Sequence, residues 1–137
     1  MGNAAPGFEK HPNYQITIEP RDERVQVHVG ETLLADTTDA VLVTESRHRP
    51  VWYLPLDAVA ADLVTATETS SYCPFKGHAS YWSVNTEAQT LNDVMWSYRE
   101  PFDECAQIRD FVAFYTNKVN LTVNGESVGE AGPGWTD

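Results

Sequence analysis

The stretch that decides the fold is Arg24-Val25-Gln26-Val27-His28-Val29-Gly30-Glu31-Thr32-Leu33-Leu34-Ala35-Asp36-Thr37. Valines at every second position, with polar or charged residues between them, are typical of a strand that has one buried and one solvated face. Gly30 and Glu31 then separate this strand from a second one at residues 32–37, which predicts a β-hairpin. The same alternation places His28 on the solvated face.

The period of two continues on both sides of this hairpin. Further strands are predicted at residues 16–18, 41–45, 51–54, 70–72, 79–85, 89–98 and 110–115, with a second hairpin at 119–128 around Asn124-Gly125. Residues 57–64, with Asp57 as a cap, and residues 102–109 have the spacing of short helical turns. The sequence therefore predicts a mainly β fold, a small α+β domain of antiparallel sheet with one or two short helices.

Length and composition fit a single compact domain. The chain has 137 residues, of which 42% are hydrophobic and 11% aromatic, and this is enough to bury a core. We expect the domain at residues 11–128, after an N-terminal extension at 1–10 and before a glycine-containing tail at 129–137.

Charge and motif content argue against several classes of partner. The formal net charge is −11 and no basic cluster is present, so nucleic acid is not an expected partner. No apolar run approaches the roughly 20 residues that span a bilayer, and no signal-peptide pattern is present, so we expect no membrane association and a cytoplasmic location. Two isolated cysteines and four scattered histidines predict neither a disulfide nor a metal site, and no cofactor is expected; a metal site assembled from distant positions stays an alternative.

The segment with the most potentially reactive side chains is Cys73-Pro74-Phe75-Lys76-Gly77-His78. Proline and glycine predict a tight turn that brings Cys73 and Lys76 together, and a nearby ammonium favours the thiolate. Cys73 is therefore either a nucleophile or redox-sensitive thiol, or a small buried hydrophobe beside a solvated Lys76. His78 is either a proton shuttle or a surface or hydrogen-bonded structural histidine, and it shares its face of the strand with Ser80 and Trp82.

Glu45 is the second candidate for a functional residue. It lies in phase with Val41 and Val43 and should point to the same buried side of the strand. A buried carboxylate needs a partner, and Lys76 and Arg47 are the candidates. Glu45 is then half of a structural ion pair, or an exposed residue at the strand end, or a general base or ligand anchor. Asp93 is a further carboxylate of the same kind, unless a local bulge turns it to solvent.

Aromatic residues crowd the same segments, and they either pack the core or line a pocket. Those assigned to a pocket are Tyr53, Tyr81, Trp82, Trp96, Tyr98 and Tyr115.

Two hypotheses about the function of the domain follow from these residues. The domain is a cofactor-free enzyme that acts on a small organic molecule, with Glu45 or His78 as acid or base and Lys76 as an electrostatic anchor, or it is a non-catalytic module that binds a metabolite or partner. The sequence leaves the oligomeric state open.

The chain resembles a known family over about residues 11–128. The matching segments are His11-Pro12, Ile16-Thr17-Ile18-Glu19-Pro20, Val51-Trp52-Tyr53-Leu54-Pro55, Cys73-Pro74-Phe75-Lys76-Gly77, Ala79-Ser80-Tyr81-Trp82-Ser83, Trp96-Ser97-Tyr98 and Ala113-Phe114-Tyr115, and they resemble the domain of unknown function 427. The resemblance implies a strongly bent antiparallel sheet. Some sheets of this kind, the tent-like ones, are held by zinc between paired Cys-x-x-Cys turns. This sequence has no such turns, so it would adopt the tent-like form only without the metal.

A nucleotidyltransferase label comes with the resemblance. The sequence has neither Gly-Ser followed by paired aspartates nor a glycine-rich phosphate loop to support that chemistry. It also departs from the family pattern at Tyr14, where a second histidine is frequent, so a role shared by two histidines does not carry over.

Overall fold

The computed structural model describes residues 2–46 and 48–128. Arg47, one predicted partner of Glu45, and the predicted tail at 129–137 lie outside the described residues. The strands are β1 (Ile16–Pro20), β2 (Val25–Val29), β3 (Thr32–Thr37), β4 (Val41–Glu45), β5 (Val51–Pro55), β6 (Val64–Cys73), β7 (Gly77–Asn85), β8 (Thr90–Ser97), β9 (Phe111–Phe114), β10 (Asn120–Val123) and β11 (Glu126–Ser127). Helix α1 is Gly7–Lys10, and 3₁₀ helices occupy Leu56–Ala58, Ala61–Leu63 and Asp103–Ile108.

The strands form two antiparallel sheets, which confirms the predicted mainly β fold. The larger sheet has the order β1-β4-β5-β9-β8-β7-β6, and the smaller one has the order β11-β10-β2-β3. Strand β1, at one edge of the larger sheet, also contacts the 3₁₀ helix 103–108. This helix therefore packs on the face of the larger sheet that carries Ile16 and Ile18.

The two faces of the larger sheet bury different sets of residues. One face packs against the valines of β2, with Leu54, Trp82 and Phe114 in the shared core. The opposite face holds a second cluster with Tyr53, Trp96, Tyr98, Cys105 and Ile108, the last two from the 3₁₀ helix 103–108. Because side chains alternate along a strand, a residue's position in β7 or β8 decides which cluster it joins.

Both predicted hairpins are present. Strands β2 and β3 pair through Gly30, and β10 and β11 pair on either side of Asn124-Gly125. Asn124 and Gly125 have φ values of 50° and 86°, the left-handed pair that a type I′ turn requires. His28 is only partly exposed, on the predicted solvated side of β2.

The helical prediction at residues 57–64 was wrong in detail. Two single-turn 3₁₀ helices occupy this region, Pro55 precedes the first, and no side chain caps it, so Asp57 is not a cap. Strand β6 begins at Val64 and extends through the threonine-rich segment before Ser70, because β7 pairs with it on both sides of a register shift between Ala66 and Ser70. No helix among the described residues is long and apolar enough to cross a membrane.

The N-terminal segment was not predicted to be structured, yet residues 3–10 lie against the domain. The Gly7 N–H donates to the Pro74 carbonyl at 2.9 Å, and the Ala5 N–H donates to Glu104 Oε1 at 2.8 Å. A Cβ at Gly7 would lie 2.7 Å from the Phe75 ring. Only glycine therefore allows α1 this close approach to the Cys73–Gly77 turn.

Candidate functional site

The buried pair Glu45–Lys76 is the centre of the candidate site. Both residues are 8% exposed, and Lys76 Nζ forms an ion pair with Glu45 Oε1. The other carboxylate oxygen, Oε2, accepts a hydrogen bond from the Tyr14 hydroxyl at 2.9 Å. The strand phase correctly predicted that Glu45 points inward, whereas the interpretation of Lys76 as a solvated turn residue was wrong.

The local fold explains how these three residues meet. Glu45 ends β4, and the β1–β4 register pairs it with Ile16, so Tyr14 precedes β1 beside the end of β4. Lys76 precedes Gly77, whose φ of 121° closes the turn between β6 and β7. The Lys76 carbonyl accepts the Phe102 N–H at 3.0 Å, which ties this turn to the segment before the 3₁₀ helix 103–108.

Buried aromatic residues surround the ammonium of Lys76. Its Nζ lies 5.8 Å from the centre of the Tyr98 ring, a cation–π distance. Trp96 Nε1 donates to the Tyr53 hydroxyl at 3.3 Å, and the two rings meet edge to face. Tyr53, Trp96 and Tyr98 are 2%, 4% and 7% exposed, so these three side chains pack the core beneath the ion pair.

The electrostatics keep the protons of this cluster in place at neutral pH. Burial lowers the pKa of Lys76, but the Tyr53 oxygen, the Glu45 carboxylate and Cys73 raise it by more, so the net pKa is above 10.5. Burial, and then the hydrogen bond to Glu45, raise the pKa of Tyr14 far above its ordinary value of 10.0. Burial likewise raises the pKa of Tyr53 to about 12 and that of Tyr98 well above 10.0.

The two cysteines differ in their surroundings. Cys73 is partly buried at the end of β6, where it packs against the same cluster. Cys105 is fully buried, its thiol lies 3.6 Å from the Phe75 carbonyl, and burial raises its pKa to about 12.

His78 and Trp82 lie apart from the Glu45–Lys76 pair. Trp82 belongs to the core between the two sheets, with Val84 two positions further along the strand. His78 is exposed, and its ring lies 4.8 Å from that of Tyr72. The prediction that His78 and Trp82 share a pocket with Glu45 is therefore corrected, because Ala79 and Tyr81, at the alternate positions of β7, occupy the Glu45 face.

Tyr81 and Tyr115 lie on the Glu45 face, toward the β6 edge of the sheet. Tyr81 shares a hydrogen bond of 2.9 Å with the Ser71 hydroxyl. Burial and a hydrogen bond to Tyr81 raise the pKa of Tyr115 to about 12, and its ring lies 4.7 Å from Trp96.

Asp93 has a φ of 51° beside a register shift between β7 and β8. It accepts hydrogen bonds from the hydroxyls of Thr67 and Thr69, as the bulge alternative predicts.

A cavity of about 540 Å³ opens beside the ion pair. Tyr14 connects the two, because its ring lines the cavity and its hydroxyl reaches Glu45. The Tyr14 ring stacks on Phe75 with centroids 3.8 Å apart. The residues around the cavity are Lys10, His11, Pro12, Asn13, Tyr14, Ser46 and Phe75.

The comparison with protein families agrees with the resemblance in the sequence. The model described as domain of unknown function DUF427 matches residues 17–125, which is most of the chain. The chain belongs to the DUF427 family. No curated protein matches it. The DUF427 match contains Glu45, Cys73 and Lys76, whereas Tyr14 and the N-terminal wall of the cavity precede it.

Sequence reasoning missed the N-terminal part of this site. Tyr14 was noted only as a departure from the family pattern, yet it contacts Glu45 and lines the cavity. The signal was present in the strand pairing: an antiparallel β1–β4 pair that ends at Glu45 places the residues before Ile16 beside that carboxylate. The glycine after Pro6 was a second signal, because it allows the close contact with Phe75.

Proposed function

We propose that this DUF427 domain binds a small organic molecule in the cavity between the N-terminal segment and the Cys73–Gly77 turn. One observation carries the proposal: Tyr14 lines the cavity with its ring and ties it, through its hydroxyl, to the buried Glu45–Lys76 pair. A concave site with an aromatic wall and a few fixed polar groups is the usual form of a small-molecule site.

The protonation states of Tyr14 and Lys76, together with the hydrogen bonds that Glu45 accepts, favour ligand binding over acid–base catalysis. A general base works best when its pKa lies near the operating pH. The pKa values of Tyr14 and Lys76 are both raised, so both groups keep their protons at neutral pH. Both oxygens of Glu45 already accept a bond from these two residues. The cofactor-free enzyme is therefore the second hypothesis, and the binding module is the first.

The chemistry of the cavity selects a class of ligand. Lys10 and His11 lie on its wall with the amide of Asn13 and the hydroxyl of Ser46, and the lining residues that the structure describes include no carboxylate. In a chain of formal charge −11, such a surface suits a molecule with an anionic or hydrogen-bond-accepting group. Phe75 and the Tyr14 ring supply the apolar contact. We propose small organic acids as the ligand class.

A ligand-detected NMR screen with a panel of small carboxylic acids tests this proposal. Asn13→Trp places a large side chain in the cavity mouth, and Asn92→Trp, at an exposed position of β8, is the matched control. We expect hits with the wild type and with the control, and loss of these hits with Asn13→Trp. Identical hits for all three proteins, or no hits at all, would refute the site.

Mass spectrometry of each hit after overnight incubation separates the two hypotheses. A binding module returns the compound unchanged, whereas an acid–base enzyme converts it. Conversion of a hit by the wild type would favour the enzyme, and loss of that conversion with Asn13→Trp but not with Asn92→Trp would assign it to this cavity.

A further inference from the structure

A second, larger cavity of about 830 Å³ lies at the ends of strands in the seven-stranded sheet. It opens where β5 ends and β9 begins, at the Pro55–Phe111 pair. The two 3₁₀ helices at 56–58 and 61–63 contribute to its wall. This volume lies within the roughly 300–1,000 Å³ that small-molecule sites occupy.

The inner surface of this cavity is apolar. Trp82 is 9% exposed and Val59 is 7% exposed, and Leu56, Val64 and Phe111 are partly buried around them. Leu56 and Val64 pack against the core between the two sheets. An indole and a phenyl ring in one concave surface provide contact area for a flat apolar group.

The rim of the cavity carries two arginines. Arg99 Nε donates to Asp110 Oδ1 at 2.8 Å, so this acidic residue is already paired. Arg109 forms no side-chain ion pair with any residue in 2–46 or 48–128. Asp57 is the other acidic residue of the lining. The formal charges of the rim therefore sum to zero, in a chain whose net charge is −11.

Two hydrogen bonds hold Asp110 at the rim of the cavity. Asp110 has a φ of 60°, a left-handed conformation that aspartate adopts in turns. Its carbonyl accepts the Leu56 N–H at 3.0 Å, and its carboxylate holds Arg99. Three consecutive residues, 109–111, all line the cavity, so Arg109 and Phe111 border the same space.

We propose that this cavity binds an aromatic organic anion. The flat apolar part lies against Trp82 and Phe111, and the carboxylate pairs with Arg109, whose planar guanidinium matches a carboxylate in two parallel hydrogen bonds. This site is separate from the one beside Tyr14, because the two cavities share no lining residue among those that the structure describes.

The test uses three probes of one shape: 2-naphthoate, the neutral 2-naphthalenemethanol and the cationic 2-naphthylmethylamine. The readout is the indole N–H signal of Trp82 in ¹H–¹⁵N spectra, assigned with Trp82→Phe among the four tryptophans. We expect the carboxylate to shift this signal and to bind about tenfold more tightly than the alcohol, as one charge-assisted contact provides. The amine should bind most weakly.

Two pairs of variants complete the test. Arg109→Gln should weaken naphthoate binding about tenfold, to the level of the alcohol, while Arg24→Gln, at the exposed position just before β2, should leave naphthoate binding unchanged. Ala61→Phe should fill the cavity and abolish binding of all three probes, and the exposed Ala88→Phe is its control.

Three results would overturn the proposal. They are an unmoved Trp82 signal at about 10 mM naphthoate, an amine that binds as well as the carboxylate, and an Arg109→Gln variant with wild-type affinity for naphthoate.

Discussion

Removal of one charge from the Glu45–Lys76 pair gives the sharpest test of the structure. Glu45→Gln keeps the shape of the side chain and one acceptor oxygen, but it leaves the Lys76 ammonium 8% exposed and without its counter-charge. Breaking a buried pair in this way costs about 3–5 kcal/mol. For a domain of this length, about 3 °C per kcal/mol predicts a fall in Tm of about 9–15 °C.

Thermal and urea unfolding followed by circular dichroism at pH 7 measure this loss. The matched control is Asp36→Asn, which breaks the solvated Arg24–Asp36 pair, whose side chains are 60% and 31% exposed. We expect the control to shift Tm by no more than about 3 °C. The double variant Glu45→Gln/Lys76→Met removes both charges and should regain about half of the lost stability, because no unpaired charge stays buried.

Either of two results would refute this account of the Glu45–Lys76 pair. If Glu45→Gln lowers Tm no more than Asp36→Asn does, the ammonium of Lys76 is solvated and the pair is not a buried one. If the double variant is as unstable as the single one, the cost arises from lost packing and not from an unpaired charge.

Three further predictions concern the same region. Alkylation mapped by mass spectrometry at pH 7.5 should label Cys73 before Cys105, since Cys105 is fully buried with a pKa of about 12; earlier labelling of Cys105 would contradict this. Burial raises the folded-state pKa of Tyr53 to about 12 and that of Tyr98 well above 10.0. Their protonated forms therefore stabilise the fold fully below pH 10, and this contribution is lost as the pH rises toward 12. Tm should be flat from about pH 7 to 9 and fall above pH 10, and a Tm unchanged at about pH 12 would be inconsistent with these buried phenols. Gly77→Ala should lower the free energy of unfolding by about 1–2 kcal/mol in urea titrations, because φ is 121° there and the new Cβ would lie 3.3 Å from a backbone carbonyl oxygen; unchanged stability would contradict this.

Much of the sheet could be predicted from the sequence because alternation is a local signal. The valines of β2 alternate through the whole strand, and the Asn124-Gly125 turn fixes the register of its hairpin without help from elsewhere. The inward direction of Glu45 followed from the same phase. Lys76 was one of the two residues named as its candidate partner, but Tyr14 was not predicted, because the contact between residues 14 and 45 depends on how the segment before β1 meets the end of β4 in space.

The candidate site was only partly predictable because bulges change the phase of a strand. Asp93, in phase with Leu91 and Met95 by alternation, has a left-handed φ, and after it both Val94 and Met95 are fully buried in one core cluster. In β7 a simple alternation separates Trp82 from Tyr81, so residues adjacent in sequence join different core clusters. A pattern of aromatic residues therefore indicates burial more reliably than it indicates which residues share a site.

The buried pair also fixes the position of the N-terminal segment, and this affects how loss of binding should be interpreted. The segment is held by the Tyr14–Glu45 hydrogen bond, by the Gly7–Pro74 hydrogen bond and by stacking on Phe75. Glu45→Gln weakens the first of these and so loosens one wall of the cavity. Loss of ligand with this variant is then expected for a binding module and for an enzyme alike. Asn13→Trp acts on the cavity without touching the ion pair, and its effect on binding is therefore the one that identifies the site.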